Sequence, residues 1–190
     1  MREYSTPLAL DLPGTGNLTD DIVRNAAEAP DAVVLARRAA ESWIDVTARE
    51  FLAEVARVAK GLIASGVEVG DRVALVSKTR YEWTLFDYAI WCAGAASVPI
   101  YETSSAEQVE WILRDSGAVA VVAENAEHLA RITTVRQSLD ALHQVWTIDD
   151  NAVEVLASLG DDVTDEALEA RRTAAGPDDL ATLIYTSGTT

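Results

Sequence analysis

The chain has 190 residues with a formal net charge of −16, of which 49% are hydrophobic and 24% charged. These values are typical of a soluble globular protein, and the length suffices for one hydrophobic core or for part of a larger one. The 31 acidic residues against 15 basic ones argue against a nucleic-acid partner, and no apolar run approaches the roughly 18 residues of a transmembrane helix.

The beginning of the chain predicts an irregular lead, a short helix and a β-hairpin. Prolines and glycines interrupt residues 1–17, which we expect to lack regular structure. Thr19 is a predicted N-cap, and Pro30 follows the predicted end of the helix. The elements predicted here are a helix over 19–28 and strands at 32–36 and 42–44 around a turn at 37–41.

The rest of the chain alternates between amphipathic helices and short apolar strands. The clearest helix begins with the capping box Thr47-Ala-Arg-Glu50 and ends at Gly66. A second capping box, Ser104 with Glu107, is predicted at the start of a later helix. The predicted strands are 72–76, 96–100, 118–123, 144–148 and 181–185, and the later helices are 80–93, 105–116, 126–139 and one or two between 153 and 174.

This alternation predicts an α/β fold with a mainly parallel sheet and helices on both faces. Strands such as 72–76 are apolar throughout, as expected of parallel strands buried on both sides. The order of the strands in the sheet does not follow from the sequence.

The last five residues, Thr186-Ser187-Gly188-Thr189-Thr190, follow the final predicted strand. In open α/β sheets, ligands bind beyond the carboxyl ends of strands. Amides and hydroxyls in such a turn can bind an anion, and hydroxyls can coordinate magnesium. The loop lacks the Gly-x-x-x-x-Gly-Lys pattern of the common nucleotidases. Composition alone favours an ordinary surface turn over a phosphate site.

The string Leu183-Ile-Tyr-Thr-Ser-Gly-Thr-Thr190 resembles the start of the signature loop of the acyl-adenylate-forming (AMP-binding) enzymes. The family motif continues with Gly-x-Pro-Lys-Gly, which would follow Thr190. Two further segments, Trp43–Thr47 and Gly66–Val73, are similar to the family in general. Two others, Arg80–Trp83 and Val98–Leu113, are similar to bacterial long-chain fatty acid–CoA ligases in particular.

The resemblance implies that residues 1–190 are a partial N-terminal (AMP-binding) domain that ends inside the phosphate-binding loop. The whole enzyme would join a fatty acid to ATP and then transfer the acyl group to coenzyme A, with Mg²⁺ as cofactor. The resemblance assigns nucleotide binding to Thr186, Ser187, Gly188, Thr189 and Thr190, and magnesium to Thr186. No catalytic residue is assigned within the chain, and the 190 residues alone are expected to be inactive.

Two alternatives remain open at this point. The first is a related adenylating enzyme that transfers its acyl group to a carrier protein or an amine. The second is a non-enzymatic α/β binding domain. Small molecules (fatty acid, ATP and coenzyme A) are the expected partners, and a homo-oligomer formed through an exposed sheet edge is a further expectation.

Other conspicuous residues are better explained by structure than by chemistry. The single cysteine, Cys92, lies in an apolar stretch and is expected to be buried and inert, which favours the cytoplasm, with peripheral attachment to a membrane left open. We expect packing roles for Trp83, Trp91 and Trp111, surface or helix-end positions for His128 and His143, a structural turn at Tyr101–Thr103, a solvated helix face over 161–169, and no catalytic role for Ser77-Lys78.

Overall fold

The computed structural model describes residues 14–186 of the chain. Residues 14–17 of the predicted lead are irregular, whereas residues 1–13 lie outside the described part. The helices are α1 (Asp20–Glu28), α2 (Ala48–Ala64), α3 (Tyr81–Cys92), α4 (Ala106–Ser116), α5 (Ala126–Val135), α6 (Ala152–Leu159) and α7 (Asp165–Arg172). The strands are β1 (Val33–Ala39), β2 (Ser42–Thr47), β3 (Arg72–Val76), β4 (Ala96–Ile100), β5 (Ala120–Ala123) and β6 (Gln144–Thr147).

Four strands form a parallel sheet in the order β4-β3-β5-β6. The chain moves from β3 to β4 on one side and then crosses to β5 on the other side of β3. Successive side chains of a strand point to opposite faces, so Val73 and Leu75 belong to one core while Ala74 and Val76 belong to another. The predicted α/β fold with helices on both faces is confirmed.

The first core lies under α2, α3 and α6, and the second lies under α4 and α5. Helices α2 and α6 approach each other closely because Gly61 has no side chain. A Cβ atom placed on Gly61 would lie 2.0 Å from the carbonyl oxygen of Leu156 on α6.

The hairpin differs from its prediction in length. Strands β1 and β2 are antiparallel, and Ala39 pairs with Ser42, so only two residues form the turn instead of the predicted 37–41. Ala40 takes a positive φ of 50°, which a tight two-residue connection requires. Arg37 and Arg38, which the predicted turn included, instead lie within the half-exposed strand β1.

The predicted capping box of Ser104 and Glu107 is wrong by one residue. Helix α4 is capped by Ser105, whose hydroxyl accepts a hydrogen bond from the Gln108 amide at 3.3 Å, while the Ser105 amide donates to Gln108 Oε1 at 2.9 Å. Ser104 instead closes the preceding turn, because its amide donates to the Tyr101 carbonyl at 3.0 Å. The box of Thr47 and Glu50 on α2 is confirmed.

The predicted N-cap position of α1 at Thr19 is confirmed, but the capping contact expected of its side chain is not. Thr19 precedes α1, but its side chain makes no capping hydrogen bond to the helix. Its hydroxyl instead donates to Asn17 Oδ1 at 2.6 Å and accepts from Arg172 at 2.9 Å. The same arginine pairs with Asp20 at 2.5 Å and with Glu169 at 2.8 Å, and thereby joins α1 to α7.

The predicted strand 181–185 is reduced to a single parallel bridge between Ser97 and Thr182. Ser97 uses both backbone groups: its amide donates to Ala181 at 3.0 Å, and its carbonyl accepts from Leu183 at 2.9 Å. Two residues further along β4, the backbone position that would face the segment 181–185 in the same way is Pro99. Because proline has no N–H group, the pairing ends there. Smaller boundary changes affect β5, which begins at residue 120, β6, which ends at 147, and the predicted helix 126–139, whose last turn is a 3-10 helix over 136–138.

Candidate functional site

The order of the strands changes direction next to β3: the chain adds β4 on one side of β3 and then adds β5 and β6 on the other side. Because β4 and β5 lie on opposite sides of β3, the connections that leave β3 and β5 diverge and open a crevice between the two strand ends. Such switch points are the usual ligand sites of open α/β sheets. Ser77 and Lys78 follow β3 at this point, and Glu124 follows β5.

Glu124 is a buried carboxylate that bridges the two strand ends. Its residue is 3% exposed, and its Oε2 accepts a hydrogen bond from the Lys78 amide at 3.0 Å. Lys78 Nζ lies 2.9 Å from the other carboxylate oxygen. Burial alone raises the pKa of Glu124, but the hydrogen bonds from Lys78 and the charges of Lys78 and Arg80 outweigh it and lower this pKa below its ordinary value.

Arg80 connects the same cluster to β6. Its guanidinium lies 2.6 Å from Glu82, 2.8 Å from Asp149 and 3.8 Å from Glu124. Two cations therefore face three carboxylates, and the positive charges are already paired. The cluster thus joins the ends of β3, β5 and β6, and the expectation that Ser77-Lys78 has no catalytic role stays a prediction.

A cavity of about 370 Å³ opens beside this cluster. Its walls come from the ends of β3 and β4, from Trp83 on α3 and from the chain just before Thr186. The lining includes Ser77, Lys78, Thr79, Tyr101, Ile184 and Tyr185. The lining thus combines hydroxyl groups with aromatic and aliphatic side chains.

The segment 181–185, which we call the approach segment, brings the predicted phosphate loop to this edge. It runs parallel to β4 and is anchored at its start, where Trp91 Nε1 donates to the Ala181 carbonyl at 2.8 Å. Thr186 follows it and is exposed. Ser187, Gly188, Thr189 and Thr190 lie outside the described residues, so their predicted role stays a prediction.

The end of the approach segment is held by α4. The hydroxyl of Tyr185 donates to Asp115 Oδ2 at 2.7 Å, and its ring packs edge-on against Trp111 with centroids 5.3 Å apart. Burial, with this hydrogen bond to Asp115, raises the pKa of Tyr185 to about 12. The packing roles expected for Trp91 and Trp111 therefore include fixing the segment that precedes Thr186.

The Tyr101–Thr103 turn, which borders the cavity, is held by two side chains of α5. His128 Nε2 lies 3.0 Å from the carbonyl oxygen of Glu102, and Arg131 donates to the same oxygen at 2.7 Å. His128 is a helix-end residue, as expected, but it is buried, whereas His143 is exposed. Sequence patterns do not reveal these contacts of His128 and Arg131, because their partner Glu102 lies 26 and 29 residues away in the chain.

The remaining candidates behave as structural residues. Cys92 is buried, and burial raises the pKa of its thiol to about 12, so it is unreactive at neutral pH. Within residues 14–186, His, Cys, Asp and Glu side chains do not form a group of three or more arranged for a metal ion. No helix in the same range is long and apolar enough to cross a membrane.

Comparison with known proteins gives a consistent result. The family described as AMP-binding enzyme matches residues 22–190. The chain is 42% identical over 193 aligned residues to the long-chain-fatty-acid--CoA ligase FadD15 of Mycobacterium bovis, an alignment that covers 100% of the chain and 32% of that protein. The chain thus spans about a third of the length of this relative.

Solved structures resemble the same region. The N-terminal domain of FACL13 from Mycobacterium tuberculosis superposes with a TM-score of 0.75 at 26% identity, over 90% of this chain and 42% of that one. A long-chain-fatty-acid-CoA ligase (FadD1) from Archaeoglobus fulgidus superposes with a TM-score of 0.80 over 94% of this chain and 36% of that one. At 20% identity, the second match supports the fold alone.

Proposed function

Since the chain belongs to the AMP-binding enzyme family, we propose that it is the N-terminal part of an ATP-dependent long-chain fatty acid–CoA ligase. The observation that carries the proposal is the 42% identity to a mycobacterial ligase of that name over the whole chain. In this proposal, residues 1–190 are a partial AMP-binding domain that ends within the phosphate loop, and the enzyme acts in the cytoplasm.

The residues of the chain that would act on substrate are Thr186 to Thr190. Thr186 is exposed at the carboxyl edge of the sheet, and a hydroxyl there suits a magnesium ion or a phosphate oxygen. The carboxylate of the fatty acid would attack the α-phosphorus of ATP, which forms the acyl-adenylate while the bond to the leaving pyrophosphate breaks. The chain's own contribution would be to orient the phosphates with amides and hydroxyls on a loop whose approach is fixed to β4 and α4.

A second candidate, transfer of the acyl group to a carrier protein or amine, has weaker support. A further relative, from Mycobacterium tuberculosis, is also named as a CoA ligase, for a propanoyl compound with an indene-derived ring system. It is 34% identical over 152 residues, covering 76% of the chain and 29% of that protein. Since this relative and the FadD15 protein are both named for coenzyme A, we propose coenzyme A as the acceptor here.

The test uses a longer protein that contains this chain and continues past residue 190. Incubated with palmitate, ATP, Mg²⁺ and coenzyme A, it should form palmitoyl-CoA, whereas a phosphopantetheine carrier protein in place of coenzyme A should not be acylated. Thr186→Ala should lower kcat/KM for ATP by roughly tenfold to a hundredfold, since it removes one oriented hydroxyl. Thr133→Ala is the matched control, because its exposed hydroxyl bonds only to Leu129 on its own helix.

The 190-residue chain alone should give no acyl-CoA in the same assay. If the 190-residue chain alone formed palmitoyl-CoA, this would contradict the proposal that the reaction needs sequence beyond residue 190. Unchanged kinetics in Thr186→Ala would contradict the assignment of the loop. Acylation of a carrier protein without any reaction of coenzyme A would favour the second candidate.

A further inference from the structure

Tyr185 stands directly before the predicted phosphate loop and packs against the body of the protein. Leu183 and Tyr185, two residues apart, both contact the core under α4 and α5, whereas Ile184 between them is exposed. The approach segment therefore keeps the alternation of a strand up to its end. Because Tyr185 is bonded to Thr186, whatever fixes its side chain also limits how the chain enters the loop.

Two residues of α4 hold this tyrosine at both ends of its side chain. The Trp111 ring packs edge-on against the Tyr185 ring, and Asp115 Oδ2 accepts a hydrogen bond from the Tyr185 hydroxyl at 2.7 Å. Trp111 and Asp115 are four residues apart, so they lie on one face of α4. The ring contact and the directional hydrogen bond together fix both the place and the orientation of the tyrosine. We call Trp111, Asp115 and Tyr185 the latch.

The helix that carries the latch is fixed to the sheet beside Asp115. Arg72, the first residue of β3, donates to the Ser116 carbonyl at 2.7 Å and to the Gly117 carbonyl at 3.3 Å. Carbonyl groups at the end of a helix have no partner within the helix, so the arginine supplies one. Asp115 therefore has a defined position relative to the sheet, and its hydrogen bond transfers that position to Tyr185.

We propose that Asp115 is a positioning residue for the nucleotide: through Tyr185 it sets the direction in which the chain enters residues 186–190. That direction determines where Thr186 presents its hydroxyl. The inference rests on the proposed function. A loop held in its binding orientation before ATP arrives loses less conformational entropy on binding, so the latch should strengthen ATP binding. Without the latch, only the molecules whose loop is correctly directed bind ATP, and the apparent affinity falls by that fraction.

The alternative is a latch that adds stability alone. Asp115 is exposed and Tyr185 is half-buried, so their hydrogen bond can be removed without opening the core. In Tyr185→Phe the ring that packs against Trp111 remains, and only the hydroxyl is lost. The two roles differ in their readout, because a positioning role changes KM for ATP, whereas a role in stability alone changes only the free energy of unfolding.

Steady-state kinetics of the longer protein, with palmitate, Mg²⁺ and coenzyme A at saturation, measures the positioning role. Asp115→Ala and Tyr185→Phe should each raise KM for ATP about threefold to tenfold, the factor expected from the loss of one hydrogen bond. The value of kcat should change by less than about twofold, since bound ATP holds the loop in the same orientation. KM for palmitate should not change.

Matched variants separate the hydrogen bond from other effects of substitution. Asp115→Asn keeps an oxygen that can accept from Tyr185, so its KM for ATP should lie near the wild-type value. The double variant of Asp115→Ala and Tyr185→Phe should be no worse than either single change, because both remove the same hydrogen bond. Glu107→Ala removes another exposed carboxylate of α4 and, as the control, should leave KM unchanged.

The 190-residue chain offers a test that needs no activity. NMR of tyrosine labelled with ¹³C at Cζ follows the ionisation of each phenol, and Tyr185→Phe identifies the signal of Tyr185. Burial, with the hydrogen bond to Asp115, raises the pKa of Tyr185 to about 12. Asp115→Ala should lower this pKa towards the ordinary value of 10.0 and leave the part that is due to burial. Glu107→Ala should not change it.

The possible outcomes separate the positioning role from the proposed function. ATP-dependent activity with KM for ATP within about twofold of the wild type in both single variants would overturn the positioning role alone. Additive effects in the double variant would overturn it as well. An unchanged titration of Tyr185 in Asp115→Ala would contradict the hydrogen bond itself. A changed titration without any ATP-dependent activity of the longer protein would overturn the proposed function, and the positioning role with it, and would leave the latch as a structural contact.

Discussion

Replacing Glu124 by alanine should destabilise the carboxyl edge of the sheet more than replacing its cationic partner does. Glu124 is 3% exposed and accepts a hydrogen bond from the backbone amide of Lys78, which the Ala variant would leave without its acceptor. A hydrogen bond to a charged acceptor contributes about 1.5–3 kcal/mol, so we expect a loss of roughly 2 kcal/mol in the free energy of unfolding. Glu124→Gln keeps one acceptor oxygen and should lose about half as much.

Lys78→Met is the matched variant, because it removes the ammonium group and keeps the backbone amide. The Lys78 side chain is 63% exposed, so solvent screens its pairing with Glu124, and we expect little change. Urea unfolding followed by tryptophan fluorescence and circular dichroism measures all three variants. A Lys78→Met loss as large as that of Glu124→Ala would refute the reasoning, since it would make the ion pair the main interaction.

The pH dependence of the same site has a defined sign. The folded-state pKa of Glu124 lies below its ordinary value near 4.5, so its contribution is complete above that pH and is lost as the pH falls through the folded pKa. Glu124→Gln should lack this part of the acid destabilisation. Identical acid-unfolding curves for the variant and the wild type would contradict the assigned ionisation.

Three further expectations concern packing, reactivity and association. Gly61→Ala should cost at least about 2 kcal/mol, because its Cβ would meet the Leu156 carbonyl, whereas Gly176→Ala, whose nearest neighbour is 3.9 Å away, should be nearly neutral in urea unfolding. Cys92 should react with a disulfide reagent at pH 8 only after denaturant is added, and fast labelling of the folded chain would contradict its burial. The chain should self-associate through the outer edge of β6, and light scattering that finds only monomer at high concentration would exclude this.

The sequence predicted the fold well because the relevant signals are local. The apolar strand 72–76 and the box of Thr47 and Glu50 depend only on nearby residues, and both are confirmed. The cap of α4 was predicted one residue too early, because Ser104 and Ser105 each stand three residues before a side chain, Glu107 or Gln108, that can complete a capping box. Arg131 on α5 binds the Ser104 carbonyl at 3.1 Å, a contact that no local pattern reveals.

The site was less predictable, because it is assembled from distant segments. The pairing of Glu124 with Lys78 depends on the strand order, which the sequence did not determine. The strand predicted at 181–185 does not form beyond one bridge, because Pro99 cannot donate a backbone hydrogen bond to it. Pro99 belongs to β4, so nothing within residues 181–185 reveals this limit. The loop residues after Thr186 were predicted from resemblance alone, and their arrangement stays a prediction.

The proline at position 99 has a mechanical consequence for the chain that leads to Thr186. Pro99 offers no N–H group to the approach segment, so the rung from the Leu183 amide to the Ser97 carbonyl is not followed by one that position 99 donates. Beyond Leu183 the segment is held from the side of α4, where the Tyr185 hydroxyl donates to Asp115. Any residue at 99 that restored an N–H group would give this edge of β4 one more donor beside the approach segment.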